Sequence, residues 1–136
     1  MRVKTSFVMA LAALVTLSAC QSERKPVVPA PSGKSASLRA MELVAISAHK
    51  CWIASKDPAF RPYRMANELN SFTGNPRFLL VPAGNYGGLP ALVVQARGTS
   101  SQVETFGPLL NQSLGHRVQA DVARWQSGDA SCSARG

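Results

Sequence analysis

Residues 77–98, RFLLVPAGNYGGLPALVVQARG, decide the fold. RFLLVPA (77–83) and PALVVQARG (90–98) are apolar runs of strand length, each bounded by turn formers. Between them GNYGGLP (84–90) holds the glycine, asparagine and proline that a reversal needs. Downstream, QVETFGPLL (102–110) alternates through Val103, Thr105 and Gly107, with TSS (99–101) as the hairpin turn that leads into it. Upstream, YRMANELNSF (63–72) sets Tyr63, Met65 and Leu69 on one face of a strand, and TGNP (73–76) turns it back into Arg77. A short helix over 63–72 is the competing assignment.

Helical patterns flank these strands. Ser37 precedes LRAMELVAISAHKCWIAS (38–55) and is the expected cap of its first turn. Leu38, Met41, Ala45, Ala48 and Trp52 recur three and four apart, and Leu43, Val44 and Ile46 widen the apolar face. This spacing predicts an amphipathic helix of about four turns. Asp57-Pro58 ends it, because the residue before proline is pushed out of the helical region. Near the other end, Leu114, Val118, Val122 and Trp125 form a second stripe, with Gly128 where a left-handed cap is common. Strands grouped between two helices predict an α+β domain. Its sheet is antiparallel with three or four strands, and the N-terminal and C-terminal helices pack on one face. The chain has no internal repeat.

The N-terminus reads as an address. Arg2 and Lys4 precede FVMALAALVTL (7–17), and Gln21-Ser22-Glu23-Arg24-Lys25 ends the apolar region. A membrane-spanning helix needs about 20 apolar residues, so this shorter run has the layout of a secretory signal instead. Leu17-Ser18-Ala19-Cys20 resembles the lipobox of bacterial lipoproteins at every position. The resemblance implies that residues 1–19 are removed and that Cys20 becomes a lipidated first residue carrying diacylglycerol and an acyl chain such as palmitate. Several chains together hold a protein stably in a membrane. Gln21, rather than an aspartate after the cysteine, implies the outer membrane, with the protein on the periplasmic side of the envelope. The competing reading is an ordinary secretory signal that keeps Cys20 as a disulfide partner.

After Cys20, QSERKPVVPAPSGKSAS (21–37) has little to bury, and its Pro and Ser content predicts an extended tether over 20–37. Residues 38–136 remain as a single α+β domain. Acylation of Cys20 leaves Cys51 and Cys132 as the one possible pair, which an oxidising periplasm would preserve. Two unrelated buried thiols are the alternative. Neither cysteine has a second Cys or His at zinc-ligand spacing, so no metal is expected. From Leu38 to Cys132 the chain also resembles small envelope lipoproteins of alphaproteobacteria. The resemblance rests on Cys51-Trp52, PRFLLVP (76–82), LVVQA (92–96), FGPLL (106–110) and RVQADVARW (117–125). It implies location and fold and carries over no catalytic residue.

The whole chain has a net charge of +8. Loss of Arg2 and Lys4 with the signal leaves 13 basic side chains against 7 acidic ones, a balance of +6. Anionic head groups, lipopolysaccharide and wall polymers are the natural neighbours of a basic envelope protein. Export and the scatter of the basic residues argue against nucleic acid. A catalytic triad needs a positioned nucleophile, base and acid, yet His49 and His116 are the only histidines. Gly98-Thr99-Ser100-Ser101 lacks the second glycine of a nucleophile elbow, and no close carboxylate pair suits glycoside cleavage. The GNYGG loop is too short for a phosphate cradle. Asp121 and Arg124 read as a solvated surface pair. No enzyme activity and no cofactor are therefore expected.

Trp52 and Trp125 lie on the apolar stripes and read as core. KDPAFRPYR (56–64) differs, because it interleaves Lys56, Arg61 and Arg64 with Phe60 and Tyr63 in a proline-bearing loop just after Lys50. Arginine and aromatic side chains dominate binding hot spots, and loops on rigid scaffolds carry binding residues. These five residues are the partner-binding candidates; a connecting loop that packs its aromatics is the competing reading. The expected protein is a lipid-anchored, non-catalytic envelope component that docks onto an envelope protein or anionic polymer. The alternative is a periplasmic module that binds a small anionic ligand or wall polymer.

Overall fold

The computed structural model describes residues 33–133, so the lipobox, Cys20 and most of the tether lie outside the described residues. Helix α1 spans Ala36–Ala48 and continues as a π-helical turn, His49–Ala54. A short 3-10 turn, Pro58–Phe60, leads into strands β1 (Tyr63–Glu68), β2 (Arg77–Pro82), β3 (Leu92–Ala96) and β4 (Val103–Phe106). A second 3-10 turn, Pro108–Asn111, precedes helix α2, Gly115–Gln126. The strands form one antiparallel sheet in the order β1-β2-β3-β4. The domain is α+β, with one helix before the sheet and one after it.

Strand alternation explains where the core sits. Phe78 faces Val94 and Leu80 faces Leu92 across β2 and β3. These four and Ala96 meet Met41, Val44 and Ala48 of α1 and Val118, Val122 and Trp125 of α2 in one cluster. Trp52 stands at its centre, stacked on Phe60 at 4.6 Å and tilted against Trp125 at 5.0 Å. Such aromatic pairs add stability beyond the area they bury. Both tryptophans are core residues, as their stripes predict. Residues 63–68 are strand rather than helix, and Tyr63 and Met65 pack against the core from β1.

Two local expectations are corrected. Ser35, not Ser37, caps α1, its hydroxyl accepting from the Leu38 N–H at 3.1 Å. Ser37 is buried and donates to the Gly98 carbonyl, which ties the start of α1 to the β3–β4 turn. The run 102–110 is strand only as far as Phe106. Gly107 adopts φ 131°, and its lack of a Cβ permits the turn there, because a Cβ would come within 2.5 Å of the Ala91 carbonyl oxygen. Gly128 does take the expected left-handed form, φ 99°, its N–H bonding the Trp125 carbonyl at 3.0 Å.

Cys51 and Cys132 are disulfide-bonded, with Cα atoms 5.3 Å apart. The turn after α2 delivers Cys132 to this bond. Hydrogen bonds from the Ser131 side chain and N–H, with the nearby Arg124 charge, hold the Asp129 carboxyl below its ordinary value. The Ser131 carbonyl in turn accepts from Trp125 Nε1 at 2.9 Å.

Candidate functional site

The π-helical turn positions the site. The Ser55 N–H bonds the Lys50 carbonyl five residues back at 3.2 Å, and the widened turn lets consecutive Cys51 and Trp52 both face inward. Such turns are rare and recur at functional sites. The turn closes at Lys56, whose N–H bonds the Ile53 carbonyl at 3.0 Å. Lys56 has φ 55° and is the one non-glycine residue with positive φ among those described. That conformation costs a residue with a Cβ about 1–2 kcal/mol, and glycine is the usual occupant of such a helix end.

Asp57 follows and caps the next turn, its Oδ1 accepting from the Ala59 N–H at 3.0 Å. Its Oδ2 accepts from Arg117 Nη2 at 2.5 Å. Arg61 and Arg64 are exposed, Tyr63 is half-buried, and the Arg64 guanidinium lies 5.3 Å from the centre of the Tyr86 ring. Lys56, Phe60, Arg61, Tyr63 and Arg64 all line one cleft of about 400 Å³, together with Trp52, Ile53, Asp57 and Ala83. Asp57 is the only acid among its described lining residues, and Arg117 already engages that carboxylate.

The five sequence candidates are therefore neighbours, but they are not alike. Phe60 is only 1% exposed and belongs to the core, because its ring is the stacking partner of Trp52. It supports the cleft from beneath and cannot serve as a surface contact. The segment is also more ordered than a loop, with a 3-10 turn over 58–60 and β1 starting at Tyr63. Lys50 is exposed and is not among the lining residues.

A polar cluster behind the cleft corrects a second expectation. Asp121 is not on the surface; it is 0% exposed. It accepts from Trp52 Nε1 at 2.8 Å, Arg124 Nη2 at 2.6 Å and Ser133 Oγ at 3.3 Å. Arg117 bridges it to Asp57, lying 3.7 Å from Asp121 Oδ2 and placing its guanidinium 5.3 Å from the Phe60 ring centre. Buried charges require such partners. The available signal was position: Asp121 is three residues after Val118 and four before Trp125, on the stripe that faces the core.

His49 and His116 are both exposed. Among the described residues no group of three His, Cys, Asp or Glu side chains could hold a metal ion. No described helix is long and apolar enough to cross a membrane. Two further concavities exist. One, of about 590 Å³, runs between α1 and β1, and the other, of about 680 Å³, lies at the 67–73 turn. Their basic residues Lys34 and Arg77 are ion-paired with Glu42 and Glu68 at 2.7 Å and 2.6 Å, whereas among the described residues no acid pairs with Lys56, Arg61 or Arg64. No protein-family model matches the chain, and neither the curated proteins nor the solved structures contain a significant match.

Proposed function

We propose that this chain is a lipid-anchored, non-catalytic protein of the bacterial envelope that docks through its basic cleft onto an anionic envelope component. The observation that carries the reading is the gathering of Lys56, Arg61 and Arg64 with Tyr63 around one cleft whose only acid among the described residues is already bonded to Arg117. Cations next to low-dielectric aromatic walls concentrate the field and attract an anionic group. The left-handed backbone at Lys56 supports the same reading, because unusual conformations cluster where function over-determines a residue. The anchor rests on the Leu17-Ser18-Ala19-Cys20 lipobox, and because Ser35 already caps α1, a tether of about fourteen residues after Cys20 at about 3 Å each would let the domain reach roughly 40 Å from the bilayer. A small anionic ligand is the second reading, favoured by the size of the cleft, which falls within the roughly 300–1,000 Å³ of small-molecule sites.

The test combines two variants of the full chain. Arg61→Gln with Arg64→Gln should change stability by no more than about 0.5 kcal/mol, since both side chains are exposed. The same variant should lose cross-linking to the component that wild type captures in intact envelopes, and wild-type capture should weaken as salt screens the charges. Unchanged capture by the folded variant would sink the docking assignment. Cys20→Ser should move the protein to the soluble fraction and abolish palmitate labelling. Membrane retention without labelling of wild type would sink the anchor.

A further inference from the structure

Strand β1 is an edge of the sheet, and its free side has a defined hydrogen-bonding phase. The Ala83 N–H donates to the Pro62 carbonyl at 2.8 Å, and residues 62 and 83 are opposite in the β1–β2 register. Narrow and wide pairs alternate along an antiparallel ladder. Arg64, Ala66 and Glu68 therefore turn their backbone groups inward to β2, while Tyr63, Met65 and Asn67 turn theirs to the open edge. Among the described residues no strand lies beyond them. Natural proteins usually guard such an edge by shortness, charged side chains, proline or a bulge; the two charges on β1, Arg64 and Glu68, are of opposite sign and so can complement a second copy. The opposite edge, β4, is only four residues long and ends at Gly107; β1 is six residues long, with no proline inside it.

We propose that the β1 edge is occupied by the β1 edge of a second copy of this chain, which would join two four-stranded sheets across a two-fold axis. Charge selects the register. When Ala66 lies opposite its own symmetry mate, Arg64 falls opposite Glu68 of the other copy, twice. Opposite charges directly across strands stabilise a pairing. In the same register Met65 faces Asn67 of the other copy, and both lie on the outward-bonding phase, which gives four backbone hydrogen bonds. A shift that centres the axis on Met65 leaves Arg64 opposite Ala66 and removes both ion pairs. Glu68 already accepts from Arg77 at 2.6 Å, and a carboxylate with two oxygens has acceptor sites left for a second guanidinium.

The helix side of the edge fits the same occupant. The groove between α1 and β1 is lined by Ile46, Met65 and Leu69 together with Lys34, Glu42 and His49. Ile46 is 69% exposed there. A two-fold axis at Ala66 brings an identical groove alongside, so each copy covers apolar surface of the other. Closure is complete with two copies, as an isologous interface requires.

Ala66→Cys in the full chain tests the register without touching any cleft residue, so its outcome is separate from that of the docking proposal. A wide antiparallel pair places Cα atoms about 4.5 Å apart, within the range a disulfide bridges. Mild oxidation should convert most of this variant to a disulfide-linked dimer, whereas Met65→Cys, displaced along the strand from its mate, should stay unlinked. Adding Glu68→Arg to Ala66→Cys, again outside the cleft, should abolish the link, because like charges then face each other. Sedimentation of the unsubstituted chain in detergent should report two copies. A mass of one copy, equal linking of Met65→Cys, or a link from Ala66→Cys only to a different protein would overturn the proposal.

Discussion

Asp121 and Lys56 are the two residues whose environments depart furthest from their chemistry. Asp121 places a carboxylate within the core, where Trp52, Arg124 and Ser133 donate to it and Arg117 stands close by. Asp121→Ala should leave the Trp52 N–H without an acceptor and Arg124 without its carboxylate, while Arg117 keeps Asp57. A fully buried pair broken in this way costs about 3–5 kcal/mol. Arg117 and Arg124 keep 18% and 24% of their side-chain surface in water, so the loss should be nearer about 2 kcal/mol. Urea unfolding followed by tryptophan fluorescence measures it; a loss below about 0.5 kcal/mol, the size of an ordinary surface change, would show the cluster to be dispensable. Lys56 gives the opposite sign. Lys56→Gly should raise stability by up to about 1 kcal/mol, because glycine adopts the left-handed region without a Cβ penalty. The same variant should weaken capture of the anionic component. A more stable protein with unchanged capture would mean that the lysine side chain does not contact it.

At the scale of elements, periodicity in the chain was a good guide to existence and a poor one to ends. The strands at 77–83 and 90–98 were legible because turn formers bracket them, and each proved one to four residues shorter in total than its apolar run. The π-helical turn could not be read from spacing, since Ala48, Cys51 and Trp52 suit an α-helix equally well until tertiary packing draws Cys51 and Trp52 inward together. The start of α2 is a comparable case. Gly115 sits where a Cβ would approach the Leu110 carbonyl oxygen to 2.1 Å, so backbone meets backbone with nothing flexible to yield. Gly115→Ala should force α2 away from the preceding 3-10 turn at about 1–3 kcal/mol. A thermal melt should show a drop of several degrees, at roughly 4–8 °C per kcal/mol for a domain of this size. An unchanged melting point would mean that this close approach relaxes freely.

Across the whole molecule, one covalent link joins distant parts of the chain. Cys51 and Cys132 are 81 residues apart, so their bond restricts nearly the entire domain in the unfolded state. Replacing both by serine should cost about 2–5 kcal/mol, within reach of a total stability of about 5–15 kcal/mol. The near-ultraviolet spectrum of the packed tryptophans should survive at 25 °C while the melting point falls. Loss of that spectrum would mean that the bond, rather than the aromatic core, holds α1 against α2. The α+β class, the two amphipathic helices, three of the four strands between them and the burial of Trp52 and Trp125 all follow from the sequence by itself, because apolar spacing and turn residues act locally; the strand over 63–68 was open between strand and helix. The basic, aromatic character of 56–64 was local in the same way. Tertiary structure alone decided that Phe60 is core, that Asp121 bonds Trp52 and that Lys56 takes a left-handed conformation. Each of these depends on a partner or a packing constraint that no window of sequence contains: Trp52 and Asp121, which share a hydrogen bond, are 69 residues apart in the chain.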